Sequence, residues 1–351
     1  MNERFQLMLD WLQQLPMLAD SLYDEPQPAS SDASFRRYFR LVIKDADRHA
    51  QVAAGQSFII MDAPPTHENC EPFIAVSAQL AEMGLNVPKV LAKDLSKGFL
   101  LLTDLGNTTY LSVLNSAEES EVDRLYRDAL HALVQLQAKG KQAAQQLPPY
   151  DATLLNNEMN LFSDWLLGTH LEQPLSSLQQ DDWQKVKEVL ATSALAQPKT
   201  YVHRDYHSRN LMITSKDNPG VLDFQDAVHG PLTYDAVSLL RDCYIAWPAE
   251  QVREWQRFYF LQLCARGLLC EDEWNGFLKA MDYMGIQRHL KAAGIFARLY
   301  HRDGKDGYLN DIPQTLQYIV DVGRAYPEMH WLVNLVETTM LPHPLLQKKG
   351  G

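Results

Sequence analysis

His203-Arg204-Asp205-Tyr206-His207-Ser208-Arg209-Asn210, followed by Val221-Leu222-Asp223-Phe224, is the stretch whose reading decides this chain. It has the form H-R-D-x-x-x-x-N, with a second Asp behind a short apolar run. Phosphoryl transfer from ATP to a hydroxyl needs one carboxylate to orient the hydroxyl and take its proton. It needs a second carboxylate and an amide to hold Mg²⁺ against the phosphates. Asp205 suits the first role, and Asn210 and Asp223 suit the others. The spacer reads as a hairpin: Leu211-Met212-Ile213-Thr214 runs out, Asp217-Asn218-Pro219-Gly220 turns, and Val221-Leu222 returns with Asp223 at its end. A lone H-R-D carries little information. His301-Arg302-Asp303 repeats the tripeptide, but Tyr308 stands where the Asn should be, so it reads as a decoy.

Outward from this stretch, the bulk of the chain fits a large enzyme. Its 351 residues suffice for two lobes around a cleft. A hydrophobic share of 46% and a charged share of 22% are ordinary for a globular protein. The net charge of −12, with no Lys/Arg run, argues against nucleic acid and against anionic membrane surfaces as partners. Cys70, Cys243, Cys264 and Cys270 form no C-x-x-C and no zinc spacing, which points to thiols in a reducing compartment. The start, Met1-Asn2-Glu3-Arg4-Phe5, lacks the pattern of a signal peptide, and no apolar run approaches membrane-spanning length. These features predict a cytoplasmic location and no obligate protein partner.

The pattern divides the chain in two. Phe5, Met8, Leu9, Leu12 and Leu15 recur at helical spacing within residues 3–23. Residues 35–43 alternate as a strand with Phe35, Arg37, Phe39 and Leu41 on one face, Phe35 and Phe39 being expected inside. Residues 57–61 and 99–103 read as further strands, and 71–83 as a helix closed by Gly84. From Gly106 onward helical patterns dominate, over 108–139, 152–168, 180–195, 234–246, 249–268, 272–300 and 312–338. The expected architecture is α+β and two-lobed, like a protein kinase. Residues 1–104 would form an N-terminal helix and a β-rich nucleotide lobe, and residues 105–351 an α-rich catalytic and acceptor lobe.

The small lobe departs from protein kinases in two ways. The turn Ser30-Ser31-Asp32-Ala33-Ser34 has no glycine, so phosphate would meet backbone N–H groups beside small polar residues, Ser34 among them. The strand ending Ile60-Met61-Asp62 has no Lys. Positive charge would come from Arg36, Arg37, Arg40 or Lys44, with Arg37 favoured. Adenine would sit by Leu102, Thr103 and Asp104. No G-x-x-x-x-G-K-[ST] occurs, which excludes a P-loop ATPase. Asp235 suits a helix cap or a support for the catalytic loop, and Asp226 a cap.

At these residues the chain resembles the aminoglycoside phosphotransferase-like small-molecule kinases, from about residue 25 to residue 340. It looks closer still to bacterial kinases that phosphorylate N-acetylmuramate and N-acetylglucosamine at the anomeric hydroxyl. That likeness is carried by Asp32-Ala33-Ser34-Phe35-Arg36-Arg37-Tyr38-Phe39-Arg40, Met61-Asp62-Ala63-Pro64-Pro65 and the segment 202–212. It is carried also by 221–227, Leu239-Leu240-Arg241-Asp242-Cys243-Tyr244 and Gly294-Ile295-Phe296-Ala297-Arg298-Leu299. The resemblance implies Asp205 as base, Asn210 and Asp223 as Mg²⁺ ligands, ATP as donor, and a role in salvaging peptidoglycan sugars. A carboxylate-bearing sugar acceptor wants an Arg and an aromatic face, for which Arg241, Trp165 and Glu158 are the candidates. A kinase for another alcohol (an aminoglycoside, choline or homoserine) and a nucleotide-binding pseudokinase scaffold are the rival readings. A protein kinase is disfavoured, because Tyr234-Asp235 follows Asp223 too soon for an activation loop.

Overall fold

A computed structural model describes residues 3–31, 35–47 and 50–347. The chain clusters into two compact units, residues 1–108 with 212–225, and residues 109–211 with 226–351. Sequence expectation cut the chain once, after residue 104; the structure returns the catalytic hairpin to the first unit.

The first unit opens with helix α1 (Glu3–Gln13), whose Met8, Trp11 and Leu12 are buried. The helix is shorter than its periodicity suggested. Pro16 heads a 3₁₀ turn, Pro16–Leu18, and the chain then enters strand β1 (Ser21–Tyr23). Proline tolerates a helix start but not a helix interior, and this ends the pattern. Strands β2 (Gln27–Ser31), β3 (Arg37–Ala46) and β4 (Ser57–Asp62) follow, then helix α2 (Glu71–Glu82) and strands β5 (Val90–Asp94) and β6 (Phe99–Thr103). The sheet order is β1-β3-β4-β6-β5, with β2 also paired to β3, and these pairings are antiparallel. The apolar faces of α1, β3, β4 and β6 meet in one core containing Trp11, Leu41, Phe58, Ile60 and Leu101.

One expectation fails here. Phe39 is buried, but Phe35 is 64% exposed. It precedes β3 and stacks on His67 at 4.5 Å, so strand alternation does not govern it.

The returning segment, 212–225, is tied to this unit by backbone. A ladder joins β7 (Leu211–Met212) to β8 (Gly220–Val221). Ile213 N–H donates to the Thr108 carbonyl at 2.8 Å and Val221 N–H to the Asn86 carbonyl at 2.7 Å. Phe224 is buried beside Phe73, ring centroids 5.0 Å apart. At Gly220 an added Cβ would stand 2.9 Å from Leu105 Cδ1, so the return strand passes close against Leu105 and a larger residue would push that side chain aside.

The second unit is mostly helical. Its elements include α3 (Tyr110–Leu114), α4 (Glu119–Lys139), α5 (Lys141–Ala144), α6 (Ala152–Leu161) and α7 (Ser177–Ala196). Later come α8 (Tyr234–Leu240), α9 (Ala249–Ala265), α10 (Trp274–Asp303), α11 (Ile312–Gly323) and α12 (His330–Leu335). Two antiparallel strands, Lys199–Val202 and Val228–Pro231, bracket the catalytic loop in sequence. The helical pattern expected over 152–168 breaks after α6 into a π-helical segment, Phe162–His170. Helix α10 is the spine, packing on α6, α7, α8 and α11. The decoy His301-Arg302-Asp303 is its last turn, where Arg302 pairs with Asp303 at 2.8 Å.

The close approach of α10 to α6 is set at Gly294. A Cβ built there would lie 2.3 Å from the Leu161 carbonyl carbon and 2.4 Å from its oxygen. Those are backbone atoms and cannot rotate away. Alanine in a helix interior gains about 1 kcal/mol over glycine in propensity, but the overlap forces the helices apart at about 1–3 kcal/mol or more. Gly294→Ala is expected to lower the denaturant midpoint of the protein; an unchanged or raised midpoint would refute the contact.

Candidate active site

The catalytic loop is held by two buried carboxylates. Asp235, on the first turn of α8, accepts the backbone N–H groups of His203 at 2.7 Å and Arg204 at 3.0 Å. Asp242 accepts the Ser208 N–H at 2.9 Å, the Ser208 hydroxyl at 2.5 Å and, through its other oxygen, the Tyr244 N–H at 3.1 Å. Both residues are almost wholly buried. Burial pushes the Asp235 carboxyl up, and its hydrogen bonds and the neighbouring His203 and Arg288 only partly oppose this. Tyr206 pins the middle of the loop from below, its hydroxyl donating to the Ala129 carbonyl at 2.8 Å.

Between these anchors the backbone is strained. Arg204 sits at φ 79°, in the left-handed region that costs a side-chain-bearing residue about 1–3 kcal/mol. Its side chain supplies the constraint. Arg204 Nη2 lies 2.5 Å from Glu158 Oε1 on α6, and Lys291 Nζ on α10 lies 3.1 Å from the same oxygen. Lys291 also donates to the Tyr234 hydroxyl at 2.8 Å. The other Glu158 oxygen accepts the Tyr150 hydroxyl and the Gln287 amide. Burial favours the neutral acid for Glu158, but the charges of Lys291 and Arg204 outweigh it and hold its carboxyl below the usual range.

This cluster frames Asp205. Desolvation raises its carboxyl, yet Lys291, then His207, Arg288 and His203, more than reverse the effect and favour the anion. A general base must be ionised to accept a proton. The loop turns Asn210 back toward it: the Asn210 side-chain amide donates to the Asp205 carbonyl at 3.0 Å, and Asn210 N–H to the His207 carbonyl at 2.9 Å. Asp223, in the first unit, sits at φ 61° and accepts from Gln225 Nε2 at 2.7 Å.

A profile of the phosphotransferase enzyme family matches residues 25–274. The chain belongs to that family. N-acetylmuramate/N-acetylglucosamine kinase of Pseudomonas putida is 48% identical over 308 residues, spanning 88% of this chain and 86% of that protein. The enzyme of the same name from Pseudomonas aeruginosa is 44% identical over 342 residues, 95% of this chain and 96% of the other. Among solved structures, ADP-bound aminoglycoside phosphotransferase APH(2'')-Ib matches with a TM-score of 0.57 at 15% identity, covering 91% and 98% of the two chains. A choline/ethanolamine kinase family protein from Mesorhizobium loti reaches 0.59 at 14% identity, covering 95% and 99%. At that identity the structures speak to fold, and the fold is the protein-kinase-like α+β arrangement expected from the sequence. Family membership makes the chain a phosphotransferase with a nucleotide as donor.

Asn210 and Asp223 each offer a hard oxygen atom, the donor type that Mg²⁺ takes. No group of three or more His, Cys, Asp or Glu that could hold a metal occurs among the described residues.

The remaining sequence candidates fall in varied surroundings. Ser34 lies outside the described residues. Arg37 stands opposite Asp62 in the β3–β4 register and pairs with it. Arg4 Nε reaches the same buried carboxylate at 2.6 Å, a contact that α1 periodicity could not announce. The alternatives are paired too: Arg36 with Glu68 at 3.0 Å, Arg40 with Asp104 at 2.6 Å, and Lys44 with Asp24 at 2.6 Å. Thr103 is bound to Lys89 through both its N–H, at 3.0 Å, and its hydroxyl, at 2.9 Å. Burial would raise the Asp104 carboxyl, but hydrogen bonds from Arg40, Ser57 and Gly106 bring it below its usual value. Arg241 ends α8 and pairs with Asp282 at 2.5 Å, while Trp165 is half-buried in the π-helical segment. Sequence reasoning placed Glu158 in an acceptor pocket; the structure places it among Arg204, Lys291 and Tyr150. Lys291 escaped notice because nothing local marks it: it is one Lys on a long helix, made relevant only by packing. Among the described residues no helix is long and apolar enough to cross a membrane.

Proposed function

We propose that the protein is an ATP- and Mg²⁺-dependent sugar kinase that phosphorylates the anomeric hydroxyl of N-acetylmuramate, N-acetylglucosamine or both. Asp205 orients that hydroxyl and takes its proton as the oxygen attacks the γ-phosphoryl group. Asn210 and Asp223 each supply an oxygen to Mg²⁺, which neutralises phosphate charge when bound. Glu158 holds Arg204 and Lys291 in place, and Lys291 in turn keeps Asp205 anionic. Arg37 is the proposed basic contact for the phosphates, with backbone groups near Ser34. Thr103 and Asp104 border the adenine. Dependence on ATP fits action in the cytoplasm, on sugars recovered from peptidoglycan.

The observation that carries the chemistry is the loop of Asp205 and Asn210, with an anionic carboxylate beside an oriented amide. The sugar is argued from relatives 44–48% identical over most of the chain. A scaffold without catalysis has no use for Lys291 and Arg288 arranged to keep one carboxylate charged.

ATP consumption with Mg²⁺ against N-acetylmuramate, N-acetylglucosamine, glucose, kanamycin, choline and no acceptor tests this. Turnover with either acetylated amino sugar, and a C1 phosphate by ³¹P NMR, is the expected result. Turnover confined to kanamycin or choline would overturn the substrate and retain the mechanism.

A further inference from the structure

Arg209 differs from Arg204 and Arg241. Arg204 is spent on Glu158, and Arg241 on Asp282. Arg209 donates no hydrogen bond among the described residues, and its one ion-pair contact, Asp311, is 4.0 Å away. It is not a swinging surface side chain, however. Its guanidinium lies 3.6 Å from the centre of the Tyr244 ring and 5.4 Å from that of Tyr308. Tyr308 in turn stacks on Phe296 at 5.7 Å, and Tyr244 is fixed through its N–H by Asp242. The same Asp242 anchors Ser208, the residue before Arg209. The guanidinium is thus set by ring faces, with its side chain 40% exposed.

A guanidinium gripped by its face keeps its edge donors for something else. Five N–H groups in a rigid fork match a carboxylate or phosphate. Their place in the chain says which. Arg209 lies between Asp205 and Asn210, on the short loop that carries the base. On the sugar-kinase reading, an anion bound by this loop is assigned to the acceptor whose hydroxyl Asp205 activates. The neighbouring tyrosines give that molecule an apolar wall. Holding the fork in advance spares the ordering cost that a flexible arginine incurs on binding.

We propose that Arg209 binds the carboxylate of an anionic amino-sugar acceptor, and so sets the preference for N-acetylmuramate, with its lactyl carboxylate, over N-acetylglucosamine, which has none. This rests on the sugar-kinase reading above. Arg209 belongs to acceptor binding, so its loss acts through KM more than through the phosphoryl-transfer step.

The test compares steady-state kinetics of the parent, Arg209→Gln and Arg209→Lys on both sugars, with thermal melting to confirm folding. Gln keeps polar donors but removes the charge. Arg209→Gln is expected to lose about 10- to 100-fold in kcat/KM for N-acetylmuramate, the scale of a charged hydrogen-bond pair, and under about threefold for N-acetylglucosamine. Arg209→Lys is expected to recover only part, since a point charge replaces a fork. Equal losses on both sugars, or a loss in kcat alone, would overturn the proposal and make Arg209 a support of the loop. A parent enzyme that turns over neither sugar would instead overturn the function on which the proposal rests.

Discussion

Asp205→Asn is expected to lower kcat by about 10²–10⁴-fold, the range a positioned general base contributes, while nucleotide affinity stays within a few-fold of the parent. The change removes the proton acceptor together with one negative charge facing Lys291 and Arg288. The contacts that shape the loop at this position are main-chain: Asp205 N–H reaches His203 Nδ1 at 3.2 Å, and its carbonyl accepts from Asn210 and His207. An isosteric amide leaves all of them in place. The variant should melt somewhat below the parent, because the anion that Lys291 and Arg288 favour is gone, yet remain folded, bind nucleotide by calorimetry, and fail in turnover. A kcat within tenfold of the parent would remove Asp205 from the base's role.

The second large effect is on stability, at Glu158→Gln. Glu158 is 4% exposed and compensates two cations, Arg204 and Lys291. Removing one partner of a buried ionic group costs about 3–5 kcal/mol, because the other charges remain without compensation. In a chain of 351 residues each kcal/mol is worth roughly 1–2 °C in melting temperature. The expected drop is therefore about 4–8 °C. The sign of the pH dependence follows from the same charges. The folded carboxyl of Glu158 titrates below its ordinary value of 4.5. A depressed carboxyl stabilises the fold above its unfolded value, and that contribution fades as pH falls through the folded one. The parent should thus lose stability on acidification below about pH 4.5, and Glu158→Gln should lack that part of the slope. Melting curves across pH 3–7 measure both. An unshifted melting temperature near neutrality would mean that Arg204 and Lys291 do not depend on Glu158.

The candidate site residues are marked in the sequence by their fixed spacing. Asp205 and Asn210 are separated by a tight loop, and the hairpin before Asp223 is written in Pro219 and Gly220. The strand and helix content of each half was legible for the same reason, since burial imposes periods of 2.0 and 3.6 on the sequence. Periodicity misled where a residue shares the pattern without sharing the element. Phe35 alternates with Phe39 yet lies outside β3, and Leu15 continues the rhythm of α1 after the helix has ended. The switch from α- to π-helix at Phe162 leaves no mark in the order of apolar residues. Ion pairs between distant segments are hidden for a further reason. Arg4 and Asp62, or Glu158 and Lys291, are matched by three-dimensional packing, and neither partner's neighbours in sequence specify the other. Arg209 was in plain view in the motif, but its distinguishing property, a guanidinium held by rings instead of carboxylates, exists only in the folded chain.

The crossing of segment 212–225 into the first unit has a consequence for how the protein is made. A nascent chain that has emerged only as far as Thr108 possesses six strands and two helices of its first unit. It lacks the strand that binds Asn86 and the ring that packs on Phe73. Those arrive more than one hundred residues later, after much of the second unit has been synthesised. The first unit cannot reach its final form in the order of translation, and a fragment cut at residue 108 would be an unfinished object. Completion of one unit is thereby coupled to synthesis through the catalytic loop of the other, so that a ribosome stalled before Gln225 releases neither half in working order.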